Sequence, residues 1–351
     1  MKYRPWVALV MGILVVGLGV SLARAADQPT LPGAGGGLVG AADLKWGTNP
    51  DQALAQAREE GKPIYVYIWA KYDSECIAMA DETLTYDQVT NQLAGFVLLA
   101  LDAHNRASFP FFDHYKIPYI KLEGLGGDGE AGTPTTEGNP VAVPTTGASR
   151  WPTSLFLDAS GQEAYRLFGY MPGKAFAPIL AQVREVLKAR ELLQREPDSV
   201  LAEAQLGHLY TSLSVFPEAR THLERALQLD PQNHAGVRPD VTLDLTIISL
   251  PSKPQVARQE LRTWQKDNAR HPRVLEACYY EAVADTALYD PGAAGAPGGD
   301  TTELQAAAEL LTRFKDAKPG TPEYNSQWYV PALTLLAKIN LYLQPPTPAR
   351  H

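Results

Sequence analysis

Ile64-Tyr65-Val66-Tyr67-Ile68-Trp69 is an unbroken run of β-branched and aromatic residues, and Phe96-Val-Leu-Leu-Ala-Leu-Asp102 repeats the pattern. Runs this short, with no polar residue until their last position, read as strands buried on both faces rather than as half-exposed strands, which would alternate. Such strands need helices to cover them. The pattern supplies one on the N-terminal side: Asn49-Pro50-Asp51 opens a segment in which Ala53, Leu54 and Ala57 share a face, Asn49 can cap it, and Gly61-Lys62-Pro63 ends it. Residues 73 to 81 suit a second helix. Thr153 to Leu157 reads as a third strand, and Gly161-Gln162 turns into a fourth at Ala164 to Phe168. Alternating helices and strands predict an α/β sheet of mixed direction, flanked by helices, over residues 44–190.

From Leu201 the period changes to that of helices throughout. Leu206, Gly207, Tyr210, Ala219, Leu223, Ala226 and Pro231 have the spacing of a tetratricopeptide repeat, and Glu196-Pro197 and Asp230-Pro231 lie one such period apart. Small residues at this spacing let two antiparallel helices approach, and large ones fill the seam. Ala257, Leu261, Trp264 and Pro272 form a looser copy, and Ala307, Leu311, Phe314 and Pro319 another, with the Pro/Gly-rich stretch Asp290 to Thr301 dividing the last pair. An apolar helix from about Gln327 to Leu343 reads as a cap. The expectation is an all-α, tetratricopeptide-like domain over 191–345 with a tail at 346–351. Such a solenoid would present a concave face to a peptide or protein.

The N-terminus predicts export. Lys2 and Arg4 precede the apolar Trp6 to Val20, and Ala23-Arg24-Ala25 has the small-x-small pattern of a cleavage site, so residues 1–25 read as a secretory signal and 26–43 as a Gly-rich leader. The expected location is periplasmic or secreted. The rival is an uncleaved anchor facing the same compartment, since Pro5 to Ala23 carries no charge and about 18 apolar residues span a bilayer. A formal charge of -8, with no dense Lys/Arg run, argues against a nucleic-acid partner and points to a protein or peptide.

The first domain resembles the thioredoxin-like superfamily. The residues that carry the likeness are Lys62-Pro63 before the first central strand, Ala70, Cys76 and Met79, then Trp151-Pro152-Thr153-Ser154-Leu155-Phe156-Leu157-Asp158, Gly161, and Arg166-Leu167-Phe168-Gly169-Tyr170. The resemblance implies a cis peptide between Trp151 and Pro152, facing the redox motif. That motif departs from the family's Cys-x-x-Cys: this chain has Tyr72-Asp73-Ser74-Glu75-Cys76. Dithiol exchange needs one thiolate to attack and a second thiol to resolve the mixed disulfide, and Asp73 in the attacking position cannot do either. Cys76 falls at the position that is usually the more buried, and Asp73 and Glu75 should disfavour its thiolate by like charge.

Two readings of function stay open. In one, the protein is an exported interaction or scaffold protein that does no dithiol cycling. In the other, Cys76 acts as a lone thiol, with Asp73, Tyr72 and Pro152 around it, in a monothiol reductase or isomerase that borrows an external resolving thiol. The plainer view of Cys76 itself is a packed, inert side chain. Cys278 reads as core. His104, Asp113 and His114 lack metal-ligand spacing, and no cofactor motif is present, so neither cofactor nor metal is expected. Residues 121–150 form a Gly/Pro-rich insertion placed to serve as a lid, a partner-binding strap or a solvated excursion.

Overall fold

The computed structural model describes residues 44–71, 73–117, 151–289 and 301–343. The signal and leader segments, Tyr72, the 121–150 insertion, most of the 290–301 stretch and the tail lie outside the described residues. The chain divides into two compact units between Leu187 and Lys188.

The first unit contains a five-stranded mixed sheet. Its strands are β1 (Trp46–Gly47), β2 (Ile64–Trp69), β3 (Val97–Asp102), β4 (Thr153–Leu157) and β5 (Glu163–Phe168), in the order β1-β3-β2-β4-β5. β1, β3 and β2 run parallel, while β4 is antiparallel to both β2 and β5. β2 pairs Ile64 with Val97 through to Trp69 with Asp102, and on its other edge Ile68 with Thr153. Ile64 to Ile68 are all fully buried, as an apolar run without alternation requires.

Alternate residues of these strands point to different cores. Ile64, Val66 and Ile68 join Leu99, Leu101 and Leu155 against Ala53 and Ala57 of α1 (Pro50–Glu60) and Phe111 and Phe112 of α4 (Phe109–His114). On the other face Tyr65 stacks on Phe156 at 5.0 Å, and Phe156 meets Phe176 at 6.3 Å. Phe176 belongs to α5 (Gly173–Arg195), which starts in the first unit and ends in the second. α1 forms where expected for local reasons. Asn49 accepts a hydrogen bond from the Gln52 amide at 3.1 Å, Pro50 pre-sets the first turn, and Gly61 takes the left-handed φ of 64° that lets Lys62 N–H close on Ala57.

The helix expected over 73–81 is shorter and then changes character. α2 spans Ser74–Ala78, and Met79–Thr83 continues as a π turn in which Leu84 N–H reaches the Met79 carbonyl at 2.9 Å. The wider turn puts Met79, Ala80 and Thr83 all inside, and the Thr83 hydroxyl donates to the Met171 carbonyl at 2.5 Å. α3 (Asp87–Leu93) then leads into β3.

In the second unit the described elements are all helical: α6 (Val200–Ser212), α7 (Phe216–Leu229), α8 (Arg238–Ser249), α9 (Pro254–Asp267), α10 (Val274–Leu288), α11 (Thr302–Lys315), the short α12 (Pro322–Asn325) and α13 (Tyr329–Leu343). The closest packing is α6 on α7, α9 on α10, α10 on α11, and α11 on α13. This pairing is consistent with repeats. The cap helix begins at Tyr329, two residues later than expected, because the Tyr329 amide bonds to Ser326 in a turn that separates it from α12. Gly207 shows why its position needs a small residue: a Cβ there would lie 2.5 Å from Leu223. Leu206, Tyr210, Ala219, Leu223 and Ala226 are buried, while Pro231 is exposed just past the end of α7. α10, which carries Cys278, is buried along nearly its whole length.

Candidate functional site

The candidate residues lie where β2 ends at Trp69, α2 begins at Ser74 and β4 begins at Thr153. The Trp151-Pro152 peptide is cis, and Thr153, next in sequence, pairs with Ile68. Pro152 is buried, and its carbonyl accepts from the Gly169 amide at 2.8 Å. Asp73 and Cys76 are joined by a hydrogen bond just after β2, and the Pro152 segment enters the strand that pairs with β2. Tyr72 lies outside the described residues.

Asp73, at the position the resemblance gives to an attacking thiol, has a structural task. It is the N-cap of α2, with Oδ1 accepting the Cys76 amide at 2.8 Å, so its charge sits at the positive end of the helix. Cys76 is 3% exposed, and its Sγ accepts the Ala70 amide at 3.4 Å while its carbonyl accepts the Tyr67 hydroxyl at 2.7 Å. Burial is the main force pushing the Cys76 thiol far above its ordinary range. The Ala70 N–H opposes this, and the Asp73 hydrogen bond and the charges of Asp73 and Glu75 add to the rise. The two acids thus act in the expected direction, but second to desolvation, because the sulfur lies inside the fold and the carboxylates at its edge. A protonated, covered sulfur is a poor nucleophile.

Sequence reasoning missed the polar ties on this face. Glu75 Oε2 accepts the Tyr170 amide at 3.2 Å, and the Tyr170 hydroxyl donates to Glu82 at 2.6 Å. Burial and the Glu82 carboxylate raise the Tyr170 phenol to about 12. The left-handed φ of 81° at Gly169 turns the chain into this contact, and that glycine was the available signal.

His104 binds Asp102 locally, Nδ1 to Oδ1 at 3.1 Å, and among the described residues no group of three or more His, Cys, Asp or Glu could hold a metal ion. Both cysteines are free and buried. No helix among the described residues is long and apolar enough to cross a membrane.

The second unit holds a polar network that sequence reading also missed. Arg273, ahead of α10, donates to Asp244 of α8 at 2.5 Å and to Glu276 at 2.7 Å, while His208 of α6 lies 3.1 Å from the same Asp244. Asp244 is 1% exposed. Burial would raise its pKa, but the hydrogen bonds and charges of His208 and Arg273 lower it further than burial raises it, so the carboxyl is held below its ordinary range.

Residues 50–184 match the family model of the thioredoxin-like domain. The five-stranded unit is a thioredoxin-like domain, followed by a helical region consistent with repeats. Among solved structures, a thioredoxin from Thermus thermophilus is similar at 24% identity, covering 40% of this chain and 86% of its own, with a TM-score of 0.29. A DsbH oxidoreductase is similar at 19% identity, covering 47% of this chain and 95% of its own, with a TM-score of 0.28. No curated protein matches the sequence.

Proposed function

We propose that this is an exported interaction or scaffold protein, in which a thioredoxin-like domain has given up dithiol–disulfide cycling and the helical repeats hold a protein partner. The observation that carries the reading is Asp73: the residue that should attack a disulfide is a carboxylate committed to capping α2, above a buried Cys76. The chain has two cysteines, Cys76 and Cys278, they fall in different units, and neither stands three residues from the other as a dithiol motif requires. The repeat spacing from Leu206 to Pro231 supports a protein-binding role. Export rests on the charged start, the apolar Trp6 to Val20 and Ala23-Arg24-Ala25.

Insulin reduction in excess glutathione, comparing wild type with Cys76→Ser, tests the loss of redox activity. Equal rates at the background level are expected. A rate that depends on Cys76 would establish the monothiol reading instead. Copurification from the native compartment tests the scaffold role: a specific partner should be recovered by the full-length chain and lost when residues from Leu201 onward are deleted. Recovery of nothing by the full-length protein would refute it.

A further inference from the structure

The helix pairs of the second unit can be compared position by position. Ala219, Leu223 and Ala226 of α7 recur 38 residues on (219 to 257) as Ala257, Leu261 and Trp264 of α9, and then 50 residues on (257 to 307) as Ala307, Leu311 and Phe314 of α11, all buried. The junction of α9, α10 and α11 is bridged by charge. Arg258 of α9 donates to Asp285 of α10 at 3.2 Å and to Glu303 of α11 at 2.5 Å, and Arg262 donates to Glu281 of α10 at 2.6 Å.

The preceding junction, of α7, α8 and α9, keeps one of the two arginines and loses the acids that face it, while the 38-residue shift carries Arg262 back to Glu224, which also lines the cleft. The 38-residue shift carries Arg258 back to Arg220, and the 50-residue shift carries Glu303 back to Lys253. On the middle helix, Leu245 and Ser249 line the junction at the same spacing as Glu281 and Asp285 in the next. What remains is an open cleft of about 640 Å³. Its ends differ in charge. Ser249 and Lys253 are joined by a backbone hydrogen bond at one end, and Arg220, near the start of α7, lines the same cleft. Glu260 lies midway along α9, accepting from the Thr246 hydroxyl at 3.2 Å, and Asp267 lies toward the other end, where Trp264 Nε1 donates to the Pro239 carbonyl. Among the described residues, Arg220 pairs with Glu224 in an exposed contact at 3.5 Å, which is worth little, and Lys253 forms no ion pair.

We infer that this cleft binds an extended acidic segment of a partner protein, with a carboxylate between Arg220 and Lys253, in the role that Asp285 and Glu303 play for Arg258 in the next junction. The cleft is long enough: Lys253 to Asp267 spans roughly 20 Å of helix, which matches about six extended residues. Leu245 and the exposed Val256 give the segment apolar contact. Glu260 at the middle and Asp267 at the far end oppose negative charge away from Lys253, so the segment is acidic only at the Lys253 end, with basic or neutral residues beyond it. The inference rests on the reading that the repeats hold a protein.

The test uses the full-length protein and two end-blocked, fluorescein-labelled hexapeptides, Asp-Glu-Leu-Ala-Ser-Lys and its reversed sequence, followed by fluorescence polarisation at low salt. At least one direction should bind, and the pair Arg220→Glu with Lys253→Glu should weaken it tenfold or more. Ser249→Asp with Lys253→Glu rebuilds the acids of the next junction against Arg220, so it should abolish binding while the thermal midpoint stays level or rises. If neither peptide binds, or if either double variant binds as wild type does, the inference is wrong. A partner that the Ser249→Asp, Lys253→Glu protein still copurifies, but that is lost on deletion from Leu201, would overturn the cleft and leave the protein-binding reading standing.

Discussion

At the scale of single residues, the chemistry of Cys76 is governed by cover more than by charge. Removing the charge of the neighbouring acid while keeping a capping side chain, as in Asp73→Asn, lowers only the smaller contributions to the raised thiol. Both wild type and Asp73→Asn should therefore give no fast-reacting thiol with a disulfide reagent at pH 8, and both cysteines should titrate once the chain is unfolded. A fast native signal that vanishes in Cys76→Ser would contradict this. Asp73→Ala, which deletes the cap on the Cys76 amide, should cost about 1 kcal/mol of stability. Gly207 tests a different balance. Alanine gains roughly 1 kcal/mol in helix propensity over glycine, but its Cβ would meet Leu223 side-chain atoms at 2.5 Å and the Leu223 backbone nitrogen at 3.2 Å. Helix backbone cannot yield cheaply, so overpacking wins and Gly207→Ala should be destabilising by about 1 to 3 kcal/mol. Chemical denaturation reads the sign directly, and a stabilised variant would mean that the α6 and α7 seam is looser than these distances.

At the scale of elements, what the sequence made legible were the features set locally. β2 and β3 announce themselves by unbroken apolar runs, α1 by Asn49, Pro50 and Gly61, and the first helix pair by the spacing from Leu206 to Pro231. The π turn after α2 was not legible, because its stabilising bond runs from Thr83 to Met171, on a distant part of the chain. The same holds for the network that ties α6, α8 and α10: His208, Asp244 and Arg273 look scattered until the helices stack. Their hidden position makes a strong prediction. Arg273→Met leaves Asp244 buried at 1% exposure without its main cation, and losing one partner of a buried pair costs about 3 to 5 kcal/mol. Arg273→Lys keeps the charge but not the forked geometry that serves Asp244 and Glu276 together, and should fall between the two. Urea midpoints of the three proteins give the order, and equal midpoints for Met and wild type would show that the network contributes nothing.

At the scale of the whole molecule, net charge and buried charge govern different properties. The formal charge of -8 bears on solubility and long-range repulsion, yet acid stability depends on the few carboxylates whose environment changes on folding. Asp244 is held below its ordinary 3.8, so its contribution is present above that value and lost as pH falls through the folded value. His208 behaves in the opposite sense. Burial alone would lower it, but the hydrogen bond and charge of Asp244 raise it above 6.5, so its contribution is complete below 6.5 and fades as pH rises through the folded value. The pair is therefore most stabilising between 3.8 and 6.5. Asp285 works against Asp244: burial raises it despite Arg258 and Arg262, so the folded state gains as that group protonates. Urea midpoints at pH 3, 5 and 8 separate these effects. His208→Gln should cost more at pH 5 than at pH 8, because the raised His208 contributes fully below 6.5 and less as pH rises through its folded value. Asp244→Asn should flatten the loss between pH 5 and pH 3. An His208→Gln penalty that is the same at pH 5 and pH 8 would mean that the imidazole titrates alike in the folded and unfolded chain, and that Asp244 is held by Arg273 alone.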